Sequence, residues 1–104
     1  MNPFEMLKNL NQIKAQAQKF KEELKEIKAE GSSGGGIVKV EINGEFQLLK
    51  VSLDPVAVDP RDIKMLEDLI VAAHNDAMDK IKTAIQEKTS SMTGGMDLSD
   101  FMGN

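Results

Sequence analysis

The chain contains no cysteine, so it offers no disulfide framework and no thiolate for nucleophilic or metal chemistry. Trp and Tyr are also absent and only 4 Phe are present, which leaves no aromatic platform on which unpaired bases could stack. No stretch reaches the ~18 apolar residues needed to span a bilayer. The opening Met-Asn-Pro-Phe-Glu-Met-Leu-Lys lacks the apolar core of a signal peptide. These absences point to a soluble cytoplasmic protein without a membrane partner. An excess of basic charge is missing too: the net charge is −4 and the pI about 5.0, against binding of polyanions by bulk charge.

Catalytic groupings are equally scarce. His74 is the only histidine, and its spacings to Asp76 and Asp79 do not converge on one helical face as i and i+4 ligands do. Ser32, Ser33, Ser90 and Ser91 lie in runs without an accompanying base. The chain reads as a non-enzyme with no cofactor, no metal and no small-molecule substrate. Glu67, Asp68, Asp76 and Asp79 read as a solvated acidic face of the second helix.

What the chain does have is a heptad pattern. Met6, Leu10, Ile13, Ala17, Phe20, Leu24 and Ile27 recur at spacings of 4, 3, 4, 3, 4 and 3, which puts an apolar seam along one side of a helix. Asn2 as cap and Pro3 at the first helical position predict a helix over 3–28, ended by the Gly/Ser run 31–36. At about 100° per residue, Lys14, Lys21, Lys25 and Lys28 fall within about 60° of one another, beside the seam. The stripe has two readings. It can face phosphates, or it can be the e edge of a parallel coiled coil in which Glu23 reaches Lys28 and Gln16 reaches Lys21 of a neighbour.

After a short strand over 29–33, Val38, Val40 and Ile42 alternate with polar residues in a half-buried strand, 37–43. Asn43-Gly44 predicts a type I′ hairpin turn and a return strand over 45–53. Within that strand Phe46 and Leu48 have the opposite parity to Leu49, Val51 and Leu53. Either a bulge lies near Leu48-Leu49, or a partner covers the outer face; the second is preferred. Asp59 as cap and Pro60 at the first position predict a second helix over 60–89, with Ile63, Leu66, Ile70, Ala73, Ala77, Ile81 and Ala84 on its apolar side. Residues 90–104 read as a flexible Ser/Met/Gly tail. The expectation is one α+β domain over 1–89: two helices on one face of a three-stranded antiparallel sheet. With about 85 ordered residues and one seam per helix, a second copy is the expected source of further burial.

The segments Gly35-Gly36-Ile37-Val38-Lys39-Val40-Glu41-Ile42-Asn43-Gly44, Val51-Ser52-Leu53-Asp54-Pro55 and Met65-Leu66-Glu67-Asp68-Leu69-Ile70-Val71-Ala72-Ala73-His74-Asn75-Asp76-Ala77 together resemble the YbaB/EbfC family of bacterial nucleoid-associated proteins. The resemblance implies a helix, three strands and a helix, a tight homodimer whose helices project like tweezers, and a nucleoid-located protein that binds double-stranded DNA and affects gene expression or nucleoid organisation. The family's DNA contacts do not form a sharp motif, so Lys14, Lys21, Lys25 and Lys28 are candidates by geometry alone. Leu10, Ile13, Ala17, Phe20, Leu24 and Ile27 are the candidate dimer or helix-packing seam. The alternative is a protein-interaction module without DNA binding, such as a prefoldin-like chaperone, which also sets a hairpin between heptad-bearing helices.

Overall fold

The computed structural model describes residues 2–92. Its order is α1 (Pro3–Glu26), β1 (Lys28–Ser33), β2 (Val38–Asn43), β3 (Leu48–Leu53), a 3₁₀ turn (Pro55–Ala57) and α2 (Ile63–Met92). The strands form one antiparallel sheet in the order β1-β2-β3. The class is α+β, with two helices and a three-stranded antiparallel sheet.

α1 starts where its sequence directs it. The Asn2 side chain accepts the Glu5 N–H at 2.7 Å, Pro3 occupies the first turn, and Glu5 complements the positive end of the helix. Its end differs from expectation. Ile27 is extended and half-buried, so the helix stops at Glu26, and Lys28 belongs to β1. The hairpin turn imposes that stop, because the Gly44 N–H donates to the carbonyls of both Leu24 and Ile27 at 2.9 Å. A Cβ on Gly44 would lie 2.4 Å from the Leu24 carbonyl oxygen, so only glycine allows this approach.

The hairpin turn is also built otherwise than a type I′ turn. Gly44 does not have positive φ; Phe46 does, at 63°. The Phe46 N–H donates to the Asn43 carbonyl, and the Asn43 N–H donates to the Gln47 carbonyl. This is a three-residue loop closed by a left-handed residue, so β3 begins at Leu48 rather than at residue 45. Asn43 serves through its buried side chain. Its Oδ1 accepts the N–H groups of Glu45 and Gln47, and its Nδ2 donates to Gln47 Oε1 at 2.8 Å.

The parity conflict in β3 is resolved by a bulge. Ile42 faces Leu48 and Glu41 faces Lys50, so Leu49 is the extra residue. Facing residues share a side of the sheet, which places Leu48, Val51 and Leu53 on the side of Ile42, Val40 and Val38. The other side carries Glu30, Ser32, Lys39, Glu41, Lys50 and Ser52. The outer face is therefore polar, and the preferred reading of an apolar outer face under a partner is corrected.

α2 begins at Ile63 rather than at residue 60. Asp59 shapes a separate turn, accepting the Arg61 N–H with its side chain and the Asp62 N–H with its carbonyl. The Asp62 carboxylate then accepts the Met65 N–H at 3.1 Å, the bond an N-cap makes. α2 runs to Met92, so residues 90–92 are helical; the remainder of the expected tail lies outside the described residues.

The core lies between α2 and the first two strands. Val38, Val40, Ile42, Ala57, Ala73, Ala77 and Ile81 are buried, with Ile27, Leu66, Leu69, Ile70 and Ile85 packed around them. Each large side chain among them contributes about 1.5–3 kcal/mol. The backbones of α2 and β1 come into direct contact: a Cβ on Gly31 would lie 2.2 Å from both the Ala73 oxygen and the Ala77 nitrogen. The Ser33 hydroxyl donates to the Leu69 carbonyl at 2.6 Å.

Candidate nucleic-acid interface

α1 is an arm. It contains no buried residue, and the chain measures 69 × 26 × 20 Å with a radius of gyration of 19.3 Å, against about 13 Å for a compact domain of this length. Its attachment is the joint at Leu24, Ile27 and Gly44. Lys14, Lys21 and Lys25 are exposed along one side of the arm, and among the described residues none of them forms an ion pair. From Lys14 to Lys25 the helix advances about 16 Å. Lys28, the fourth candidate, is exposed at the first position of β1, past the extended Ile27, so it does not continue the helical stripe.

The seam is divided in the same way. Leu10, Ile13 and Ala17 are exposed on the arm, with Phe20 only slightly less so; Leu24 is half-buried at the joint, and Ile27 has left the helix to join the core. A second apolar strip, Phe4, Leu7 and Ala15, runs along another side of the arm's tip.

Two of the four α2 lysines differ from those of the arm, while Lys82 and Lys88 are exposed without an ion pair among the described residues. Lys64 pairs with Asp68 at 3.1 Å and Lys80 with Asp76 at 3.0 Å, each one turn apart. Asp76 also accepts the Ser32 N–H at 3.0 Å, and that bond, followed by the one from Lys80, holds its carboxyl below the usual range. Asp76 thus fastens the edge of β1 to α2 instead of belonging to a purely solvated face. His74 is exposed on α2. Sequence reading missed Gly31, Ser33, Gly44 and Asp76, whose partners lie tens of residues away, so no local spacing could have marked them.

A slender helix with exposed ammonium groups along one side is thus borne on a small α+β core. Residues 1–96 match the model of the YbaB/EbfC DNA-binding family, and the chain belongs to that family. It is similar to the nucleoid-associated protein of Granulibacter bethesdensis, 43% identical over 89% of this chain and 87% of that one. A nucleoid-associated protein of Moorella thermoacetica is 40% identical over 96% of each chain. The crystal structure of an uncharacterized protein from Helicobacter pylori shares the fold, with a TM-score of 0.67 at 22% identity over 89% of this chain and 98% of that one. No helix among the described residues is long and apolar enough to cross a membrane.

Proposed function

We propose that this protein binds double-stranded DNA as a homodimer through its phosphate backbone, with little base readout, as a non-enzymatic component of the cytoplasmic nucleoid that affects gene expression or DNA organisation. The observation that carries this reading is the α1 arm with Lys14, Lys21 and Lys25 exposed and free of carboxylate partners among the described residues. Free ammonium groups release condensed counterions when they meet phosphate, whereas Lys64 and Lys80 of α2, already paired one turn apart, have less to gain. The homodimer is supported by the uncovered apolar seam of α1.

Three lysines on each arm give about six phosphate contacts in a dimer and a log–log salt slope of about −5; with Lys28 included the slope becomes about −7. Fluorescence anisotropy of a labelled duplex titrated at several salt concentrations measures it. A slope flatter than about −2, or no binding at low salt, removes the mechanism. Changing Lys14, Lys21, Lys25 and Lys28 to Glu should abolish binding while sedimentation still shows a dimer. The exposed seam also suits a second reading, a protein-interaction module of prefoldin type. A hexamer, or stabilisation of an unfolded client without DNA affinity, would favour it.

A further inference from the structure

α1 carries two apolar strips, and the heptad seam accounts for only one. At about 100° per residue, Phe4, Leu7, Asn11 and Ala15 fall within an arc of about 80°, centred about 130° from Met6, Leu10 and Ile13. Phe4 is 77% and Leu7 58% exposed. Lys8 and Lys19 stand within about 40° of one edge of this arc, and Lys14 and Lys21 within about 40° of the other. All four are exposed, and among the described residues none forms an ion pair. From Pro3 to Lys21 the only carboxylate is Glu5, so the outer arm is a basic sleeve around an apolar strip. A second copy suits it poorly, because laying the strip on itself sets lysine against lysine in either direction.

Residues 93–104, outside the described ones, have the complementary character. Asp97 and Asp100 interleave with Met96, Leu98, Phe101 and Met102, and no lysine or arginine stands among them. α2 sets where this segment starts. Its Leu69 carbonyl meets Ser33, Asp76 meets Ser32, and Ala73 and Ala77 meet Gly31, so α2 runs antiparallel to β1, back towards the joint of the arm. α1 and α2 are about 36 and 45 Å long. Laid along a molecule 69 Å long, they overlap by about 12 Å, which brings Met92 level with about Lys19. From there Ala15 lies about 6 Å and Leu7 about 18 Å along the arm. Phe101, nine residues past Met92, has about 30 Å of extended chain with which to reach them, in a molecule 26 Å across. We propose that residues 96–102 dock on this strip of the same chain, with Leu98 and Phe101 against Phe4, Leu7 and Ala15 and with Asp97 and Asp100 facing Lys8 and Lys14. Lys14 also belongs to the set assigned to phosphate, so on that reading the segment and DNA compete for the arm.

The absence of cysteine lets the contact be measured without DNA. Leu7→Cys combined with Phe101→Cys should close a disulfide within one chain on mild oxidation, read as faster migration at monomer mass on a non-reducing gel. Gln16→Cys combined with Phe101→Cys is the comparison: Gln16 is exposed and nearer the start of the segment, but about 140° round the arm from the strip. An undocked segment would favour the nearer pair. Closure at Leu7 well ahead of Gln16 therefore supports the docking. Equal rates, a faster Gln16 pair, or closure at neither overturn it, as does linkage found only between two chains at twice the mass. Leu98→Ala combined with Phe101→Ala leaves the charge unchanged, so a gain in duplex affinity reports release of the arm and should be about threefold or more. An unchanged affinity overturns the competition. Failure of the unmodified chain to bind a duplex removes the DNA reading alone, and the disulfide rates still decide the docking.

Discussion

α1 and α2 have similar amphipathic periodicity and opposite fates. α2 buries Ala73, Ala77 and Ile81, whereas α1 buries nothing and reaches out from a single joint. The difference lies in side-chain size and in what stands opposite. Ala73 and Ala77 leave room for the β1 backbone at Gly31, so α2 settles on the sheet at very short range. The seam of α1 is mostly large, and the two hydrogen bonds from Gly44 end the helix before it can turn back over the strands. Periodicity alone states that a helix needs a partner; only the approach of backbones decides whether the partner is within the chain.

The sharpest way to break the contrast is at Gly31. Gly31→Ala puts a methyl group against the α2 backbone, where neither Ala73 nor Ala77 can retreat without moving the helix. A loss of about 3 kcal/mol or more is expected, read as a large fall in the urea midpoint followed by circular dichroism. Little change there would mean that α2 sits less tightly than its contacts require.

A matched pair of substitutions then weighs the two helices against each other. Ile81→Ala empties a fully buried site and should cost about 2–5 kcal/mol at any protein concentration. Ile13 is 60% exposed on the arm, so within one chain Ile13→Ala should cost less than about 0.5 kcal/mol. A larger loss that grows with dilution would show that a second copy covers the seam in solution. Lys21→Ala touches neither core nor seam. It should leave the melt unchanged and make the salt slope of DNA binding shallower by about 2, because each protomer of the dimer then neutralises one phosphate fewer.

Elements whose signals are local were legible in the sequence: the Asn2-Pro3 start of α1, the alternation of β2 and the apolar side of α2. The turn at Asn43-Gly44 was legible as a turn but not in its type. Asn43 bonds across the loop with its side chain while Phe46 adopts the left-handed backbone, and the pair of letters alone favours another geometry. The end of α1 was hidden because the hairpin sets it from some 20 residues away, and that removed Lys28 from a stripe that an uninterrupted helix would have kept. Asp59-Pro60 read as the cap and first position of α2, but the cap is Asp62, and both aspartates suit that role. As for the candidate site, the sequence shows where the lysines fall on α1. It does not show that Lys64 and Lys80 of α2 are engaged, because that depends on which carboxylates stand one turn away in the folded helix.

The smallest expected effect concerns the bond that ties the two regions of the core together. The Asp76 carboxyl is held below its ordinary value of about 3.9, first by the Ser32 N–H and then by Lys80. A carboxyl with a depressed value in the folded state contributes stability that is fully present above the unfolded value and is lost as pH falls through the folded one. From neutral pH down to about 5 the contribution should therefore be constant, with the loss confined to the region below about 4. Asp76→Asn keeps the shape and an acceptor oxygen but removes the charge, so its melting temperature should fall less steeply than that of the unmodified chain over that acid range. The two proteins should run parallel between pH 5 and 7. If they instead diverge near neutrality, a different group titrates at the β1 edge, and the carboxylate is not what fastens the strand to the helix.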